Sequence, residues 1–139
     1  MSIPSKFPVV NGKAQFGLHL MLDAYEADHD KLNDMARVFR FLRDLPPRIG
    51  MHTLMPPVVL EATDTGTGFD TGGYTGVVII AESHISIHTF PDKGFFTMDV
   101  YSCSDFASEV DKIMSYTKET FGFGKHELQI VKRGLEFPM

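Results

Sequence analysis

Three apolar stretches of strand length follow one another between residues 75 and 102, with very little chain to connect them. They span residues 75–81, 83–90 and 95–102, and the last two are separated by the turn Pro91-Asp92-Lys93-Gly94. Links this short favour antiparallel pairing of consecutive strands, because a parallel crossover takes a much longer connection. The sequence therefore predicts an antiparallel sheet at the centre of the fold.

The flanking segments predict the remaining strands and two helices. Short strands are expected from alternation or apolar runs over residues 16–22, 58–60 and 127–132. A first helix is expected from its cap at Asp28 to the stop at Pro46-Pro47. A second is expected from Asp105 or Ser108 to Gly122, and residues 1–15 and 63–73 are interpreted as loops.

This order of elements predicts an α+β fold, a two-layer sandwich. It has a mainly antiparallel sheet with two helices on one face. The other face of the sheet then needs a cover, and a second copy in a two-fold homodimer is the simplest one. The length of 139 residues fits a single domain over 1–139.

Composition excludes several classes of partner. The net charge is -5, from 13 Lys and Arg against 18 Asp and Glu, so a nucleic-acid partner is not expected. No apolar run approaches the roughly 20 residues that cross a bilayer, so no membrane association is expected. The single cysteine, Cys103, excludes an internal disulfide and a multi-cysteine zinc site, which favours the reducing cytoplasm.

Titratable residues concentrate at Glu82-Ser83-His84-Ile85-Ser86-Ile87-His88. One interpretation is a strand with this polar face in water. A metal site is disfavoured, because His84 and His88 lie about 13 Å apart along a strand, and no metal is expected. A third interpretation is nucleophilic: a serine with a histidine base and Cys103 on the returning strand.

Residues 81–103, AESHISIHTFPDKGFFTMDVYSC, resemble the self-processing segment of the prokaryotic S-adenosylmethionine decarboxylases, which are pyruvoyl enzymes. The resemblance extends to residues 17–23, 72–82 and 132–134. It implies a zymogen in which Ser83 attacks the carbonyl of Glu82. The cleaved products would be a β chain, 1–82, and an α chain, 83–139, whose first residue becomes the pyruvoyl cofactor.

The same resemblance implies roles for individual residues. His88 and the hydroxyl of Thr75 would assist processing. The pyruvoyl group would form a Schiff base with the substrate amine, and Cys103 would protonate the α-carbon as a general acid. Phe69 would stack on adenine, and Asp92 would hold the ribose hydroxyls.

The expected activity is autocatalytic cleavage followed by decarboxylation of S-adenosylmethionine, which supplies the aminopropyl donor for spermidine synthesis. The expected assembly is a cytoplasmic homodimer of cleaved protomers. Asp92 is one methylene shorter than the family's glutamate, and the 46–71 stretch is longer than in compact members. These departures keep one alternative open, a pyruvoyl decarboxylase of arginine or ornithine. A non-catalytic regulatory paralogue is a separate alternative.

Overall fold

A six-stranded antiparallel sheet forms one layer of the protein, and helices form the other. The computed structural model describes residues 9–10, 13–63, 66–68 and 72–138. In chain order the elements are β1 (Val9–Val10), β2 (Lys13–Ala14), β3 (Gly17–Tyr25), α1 (His29–Leu32), α2 (Met35–Arg48), β4 (Val58–Glu61), β5 (Tyr74–Ile80), β6 (Ser83–Phe90), β7 (Phe95–Ser102), α3 (Val110–Phe121) and β8 (Lys125–Arg133). Short 3-10 turns occupy Pro91–Lys93 and Ala107–Glu109.

The sheet has the strand order β4-β5-β6-β7-β3-β8, and every neighbouring pair is antiparallel. The run β5-β6-β7 is the meander that the short links predict. Strand β3 comes from the start of the chain and lies between β7 and β8. The predicted α+β sandwich with a mainly antiparallel sheet is confirmed.

Alternate residues of each central strand are buried against the helices. On the sheet side, this core contains Leu20, Leu22, Ile85, Ile87, Met98 and Val100, and on the helix side Val38, Phe41, Leu42, Leu45, Ile113 and Phe121. Gly76 permits the close approach of α2, because a Cβ there would lie 2.7 Å from Cδ1 of Leu42. The helices therefore cover one face of the sheet.

The opposite face of the sheet, which we call the open face, carries the other alternate residues. Cross-strand pairing places polar side chains of β3, β6 and β7 on it, namely His19, His84, Ser86, His88, Thr97, Asp99 and Tyr101. It also carries exposed apolar side chains, of which Leu60 is 63% exposed and Ile79 37% exposed. The open face is therefore mixed, with polar side chains on β3, β6 and β7 and exposed apolar ones on β4 and β5.

The first predicted helix is divided into two. Asp28 caps only the single turn of α1, where its side chain accepts a hydrogen bond from the amide of Lys31. Asp34 caps α2 in the same way, through the amide of Arg37. Both aspartates are good N-caps, so the chain restarts the helix at the second one.

The prolines end α2 later than expected. Pro46 and Pro47 lie inside its last turn, and the helix continues to Arg48. A proline ring holds φ at a helical value while it removes an amide donor, so the backbone stays helical through Arg48 before it stops. Residues 9–10 and 13–14, expected to be loop, pair as the small β1–β2 ladder.

Among the helices of the described residues, none has the length and hydrophobicity that a bilayer crossing requires.

Candidate active site

The residues expected to take part in cleavage and catalysis, together with His52, fall into two groups at different positions along β6. The first, which we call the cleavage cluster, consists of His52, Glu82, Ser83 and Cys103. The second, the histidine–threonine pair, consists of His88 and Thr75. Strand pairing builds both groups, since β6 lies between β5 and β7.

Ser83 has a strained backbone. Its φ is 151°, in a region that residues with a side chain rarely adopt. Conformations of this kind cost about 1–3 kcal/mol and persist only where the surroundings impose them. Here the surroundings are the tight turn between β5 and β6, which is closed by the pairing of Ile80 with Ser83. The peptide bond between Glu82 and Ser83 is therefore next to a strained residue.

The carbonyl of Glu82 accepts a hydrogen bond from the backbone amide of Cys103, at 2.8 Å. Register explains the contact, because Ser83 lies opposite Ser102 at the end of the β6–β7 ladder. An amide donor on a carbonyl oxygen stabilises the negative charge that develops there when a nucleophile attacks the carbon. The arrangement can therefore act as an oxyanion site for attack on the Glu82 carbonyl.

The chain that bears Cys103 is shaped by its neighbours. The hydroxyls of Ser102 and Ser104 lie 2.7 Å apart, and the amide of Ser104 donates to the Ser102 hydroxyl at 3.1 Å. Gly17 on β3 passes so close that a Cβ there would lie 2.0 Å from the Ser102 carbonyl oxygen. The Cys103 side chain itself is a half-buried free thiol.

The Glu82 side chain is buried and bound by His52. One carboxylate oxygen accepts from the His52 amide at 3.0 Å, and the other lies 2.8 Å from Nδ1 of the His52 ring. Burial raises the pKa of the Glu82 carboxyl, but the hydrogen bonds from His52 outweigh it, so the pKa is lower than the ordinary value. Glu82 is therefore a carboxylate at neutral pH.

The histidine–threonine pair is formed across the β5–β6 ladder. Nδ1 of His88 lies 3.1 Å from the hydroxyl of Thr75, which is directly opposite it. Five residues separate His88 from Ser83 along one extended strand, a distance of about 16 Å. The structure thus brings Thr75 to His88, and Glu82 to Cys103, but keeps the two groups apart within one protomer.

Of the two residues expected to bind substrate, the structure describes Asp92 but not Phe69. Asp92 is exposed on the turn after β6, and its carboxylate lies 3.2 Å from Nε2 of His29. The pKa of His29 is raised by its hydrogen bonds to Asp30 and then Asp92. Phe69 lies outside the described residues, so its place in the site stays a prediction.

Sequence reasoning did not single out His52. It lies in a proline-rich stretch thirty residues before Glu82, and no motif marks it. Only the pairing of residues around Thr53 with the end of β5 brings it to the site. Within the described residues, no group of three His, Cys, Asp or Glu side chains is arranged to hold a metal ion.

The chain is similar to known decarboxylases over most of its length. The model of the family described as S-adenosylmethionine decarboxylase matches residues 18–134. The S-adenosylmethionine decarboxylase proenzyme of Prochlorococcus marinus strain MIT 9313 is 32% identical over 117 residues, which cover 84% of this chain and 86% of that protein. The proenzyme of Clostridium botulinum strain Hall is 31% identical over 118 residues, covering 85% of this chain and 94% of that protein.

A solved structure matches as well. The crystal structure of the adenosylmethionine decarboxylase of Aquifex aeolicus superimposes with a TM-score of 0.72 at 31% sequence identity, and the match covers 86% of this chain and 92% of that one. The family match includes the cleavage cluster and the histidine–threonine pair, since both lie inside residues 18–134. The chain belongs to the S-adenosylmethionine decarboxylase family.

Proposed function

We propose that the chain is a proenzyme that cleaves itself between Glu82 and Ser83 and then decarboxylates S-adenosylmethionine. The product would be the aminopropyl donor for spermidine synthesis. The observation that carries the proposal is the state of the Glu82–Ser83 peptide. The Glu82 carbonyl accepts a hydrogen bond from the Cys103 amide at 2.8 Å, and Ser83 has a strained backbone with a φ of 151°.

The proposed cleavage has two stages. Ser83 Oγ bonds to the Glu82 carbonyl carbon, its proton passes through a base to the Ser83 nitrogen, and the C–N bond breaks to leave an ester. Removal of the Ser83 α-proton then breaks the Cβ–Oγ bond, which releases the Glu82 α-carboxylate and leaves a dehydroalanine. Water replaces its nitrogen, so ammonia leaves and residue 83 ends as a pyruvoyl group.

The residues around Ser83 fit that group. When formed, the pyruvoyl carbonyl supplies an electron acceptor for decarboxylation. The half-buried thiol of Cys103 adjoins the end of the strand where that group would lie, since Ser102 is directly opposite Ser83. Cys103 is proposed to return the proton to the substrate α-carbon as general acid. Asp92 and Phe69 are proposed to bind the nucleoside part.

The functional unit is proposed to be a homodimer formed through the open face. His88 cannot serve Ser83 of its own chain, because about 16 Å separate them along the strand. Ser83 lies at the start of β6, so two copies of the strand related by a two-fold axis would bring His88 of one copy toward Ser83 of the other. The exposed apolar residues Leu60 and Ile79 support burial of this face.

Mass and substrate measurements test the function. Wild-type protein is expected to give two chains divided between Glu82 and Ser83 under denaturing conditions, and to release CO₂ from carboxyl-labelled S-adenosylmethionine. Ser83→Ala is expected to remain one chain and to release none. Ser115→Ala, an exposed serine on α3, is the control and should match wild type. An uncut wild-type chain, or release from arginine or ornithine in preference to S-adenosylmethionine, would contradict the proposal.

A further inference from the structure

The segment after α2 is bound to the strand that leads to the cleavage cluster. The carbonyl of His52 accepts from the Ala81 amide at 2.7 Å, and the Leu54 amide donates to the Ile79 carbonyl at 2.9 Å. Ile49 and Met51, just before this segment, are buried in the core. The position of His52 is therefore determined by the core as well as by the strand.

Glu82 is consequently restrained by contacts with both its backbone and its side chain. His52 binds the carboxylate at two atoms and also accepts from the residue before Glu82, while Cys103 donates to the Glu82 carbonyl. The ladders on either side of β6 begin at Ser83, so they restrain the strand but do not reach the Glu82 side chain. The His52 ring is 76% exposed, so its burial contributes little to the core.

We infer that His52 is a positioning residue for self-cleavage: its ring holds the Glu82 side chain so that the Glu82 carbonyl carbon stays within reach of Ser83 Oγ. This inference rests on the proposed cleavage between Glu82 and Ser83. His52 touches neither the attacked carbon nor the attacking oxygen, and it acts only through Glu82. A displacement of one ångström at a reacting group costs about 100-fold in rate.

The test follows precursor cleavage over time after cell-free synthesis of the full chain. His52→Ala is expected to cleave roughly 10- to 100-fold more slowly than wild type. His52→Asn, whose amide can donate from nearly the position of Nδ1, is expected to recover most of the rate. His126→Ala, an exposed histidine on β8, is the matched control and should cleave at the wild-type rate.

Three further measurements separate positioning from general damage. Chains of His52→Ala that have cleaved should release CO₂ at the wild-type rate per cleaved chain, because His52 acts before the cofactor exists. The double variant His52→Ala/Glu82→Ala should cleave no more slowly than Glu82→Ala alone, since the ring acts through that carboxylate. Thermal unfolding of His52→Ala in a Ser83→Ala chain reports any loss of folding.

A contrary result overturns either this inference alone or the proposed self-cleavage together with it. Cleavage of His52→Ala at the wild-type rate overturns this inference and leaves self-cleavage intact. Equal slowing in His52→Ala and His52→Asn, or additive slowing in the double variant, also overturns it. If His52→Ala fails to fold, the comparison of His52→Asn with wild type and Glu82→Ala decides. A wild-type chain that never cleaves overturns the proposed function, and this inference with it.

Discussion

Backbone strain at Ser83 lies where the chain is proposed to break. A strained conformation raises the energy of the uncut precursor, and cleavage at that peptide removes the restraint. A serine at this position therefore carries a cost in stability. A glycine would adopt the same φ freely but has no hydroxyl to attack with.

Substitution at Ser83 measures this strain directly. The Ser83→Gly variant is expected to be more stable than the Ser83→Ala variant, with a free energy of unfolding about 1 kcal/mol higher. Relief of the backbone strain outweighs the usual cost of glycine in a strand. Neither variant can cleave, so urea unfolding compares two intact chains. At Ser86, whose φ is not positive, the order should reverse in the same uncut background. An alanine variant as stable as the glycine variant at position 83 would show that the strain is absent.

At the scale of elements, the cleavage cluster depends on how closely β3 approaches the end of β7. Gly17 faces the Ser102 carbonyl and the Cys103 Cα, and a Cβ would lie 2.0 and 2.8 Å from them. Neither backbone atom can move without displacing the Cys103 amide from Glu82. Close packing of two strands is thus coupled to the oxyanion contact.

Gly17→Ala is therefore expected to slow cleavage by roughly 10- to 100-fold and to lower the free energy of unfolding by about 1–3 kcal/mol. Time courses of the two fragments and urea unfolding measure the two effects. Gly124→Ala is the control, because the closest atom to its Cβ would be the carboxylate oxygen at the flexible end of the Glu26 side chain, away from the cleavage cluster. Wild-type cleavage in Gly17→Ala would exclude a role for the Cys103 amide.

Elements also show what local pattern could and could not predict. Alternation and apolar runs correctly predicted where the six strands of the sheet lie along the chain, because side chains of a strand point to opposite faces whatever it pairs with. The division of the first helix at Asp34 was missed, since Asp28 and Asp34 are equally good caps and tertiary packing chooses between them.

At the scale of the whole molecule, the distance between Ser83 and His88 predicts that two inactive variants complement each other. Co-expression of Ser83→Ala chains with His88→Ala chains should restore cleavage of the His88→Ala chain, although neither variant cleaves alone. A mixed dimer contains one site with both an intact Ser83 and an intact His88. Intact mass identifies which chain is cut. Absence of cut chains in the mixture, alongside normal wild-type cleavage, would rule out a site shared between copies.

The sequence by itself determined the antiparallel meander and the chemical character of residues 82–103. Periodicity is a local property, and the motif is contiguous in the chain. Thr75 was expected only from the family resemblance, and the pairing of β5 with β6 places it opposite His88.

Tertiary structure decided which of these groups meet. His52 reaches Glu82 across thirty residues, Gly17 reaches Cys103 across the sheet, and Ser83 takes its positive φ from the turn it closes. His88, close to Ser83 in the chain, is distant from it in space. These outcomes depend on strand register and packing between distant segments, which are set by the free energy of the whole fold rather than by any local pattern.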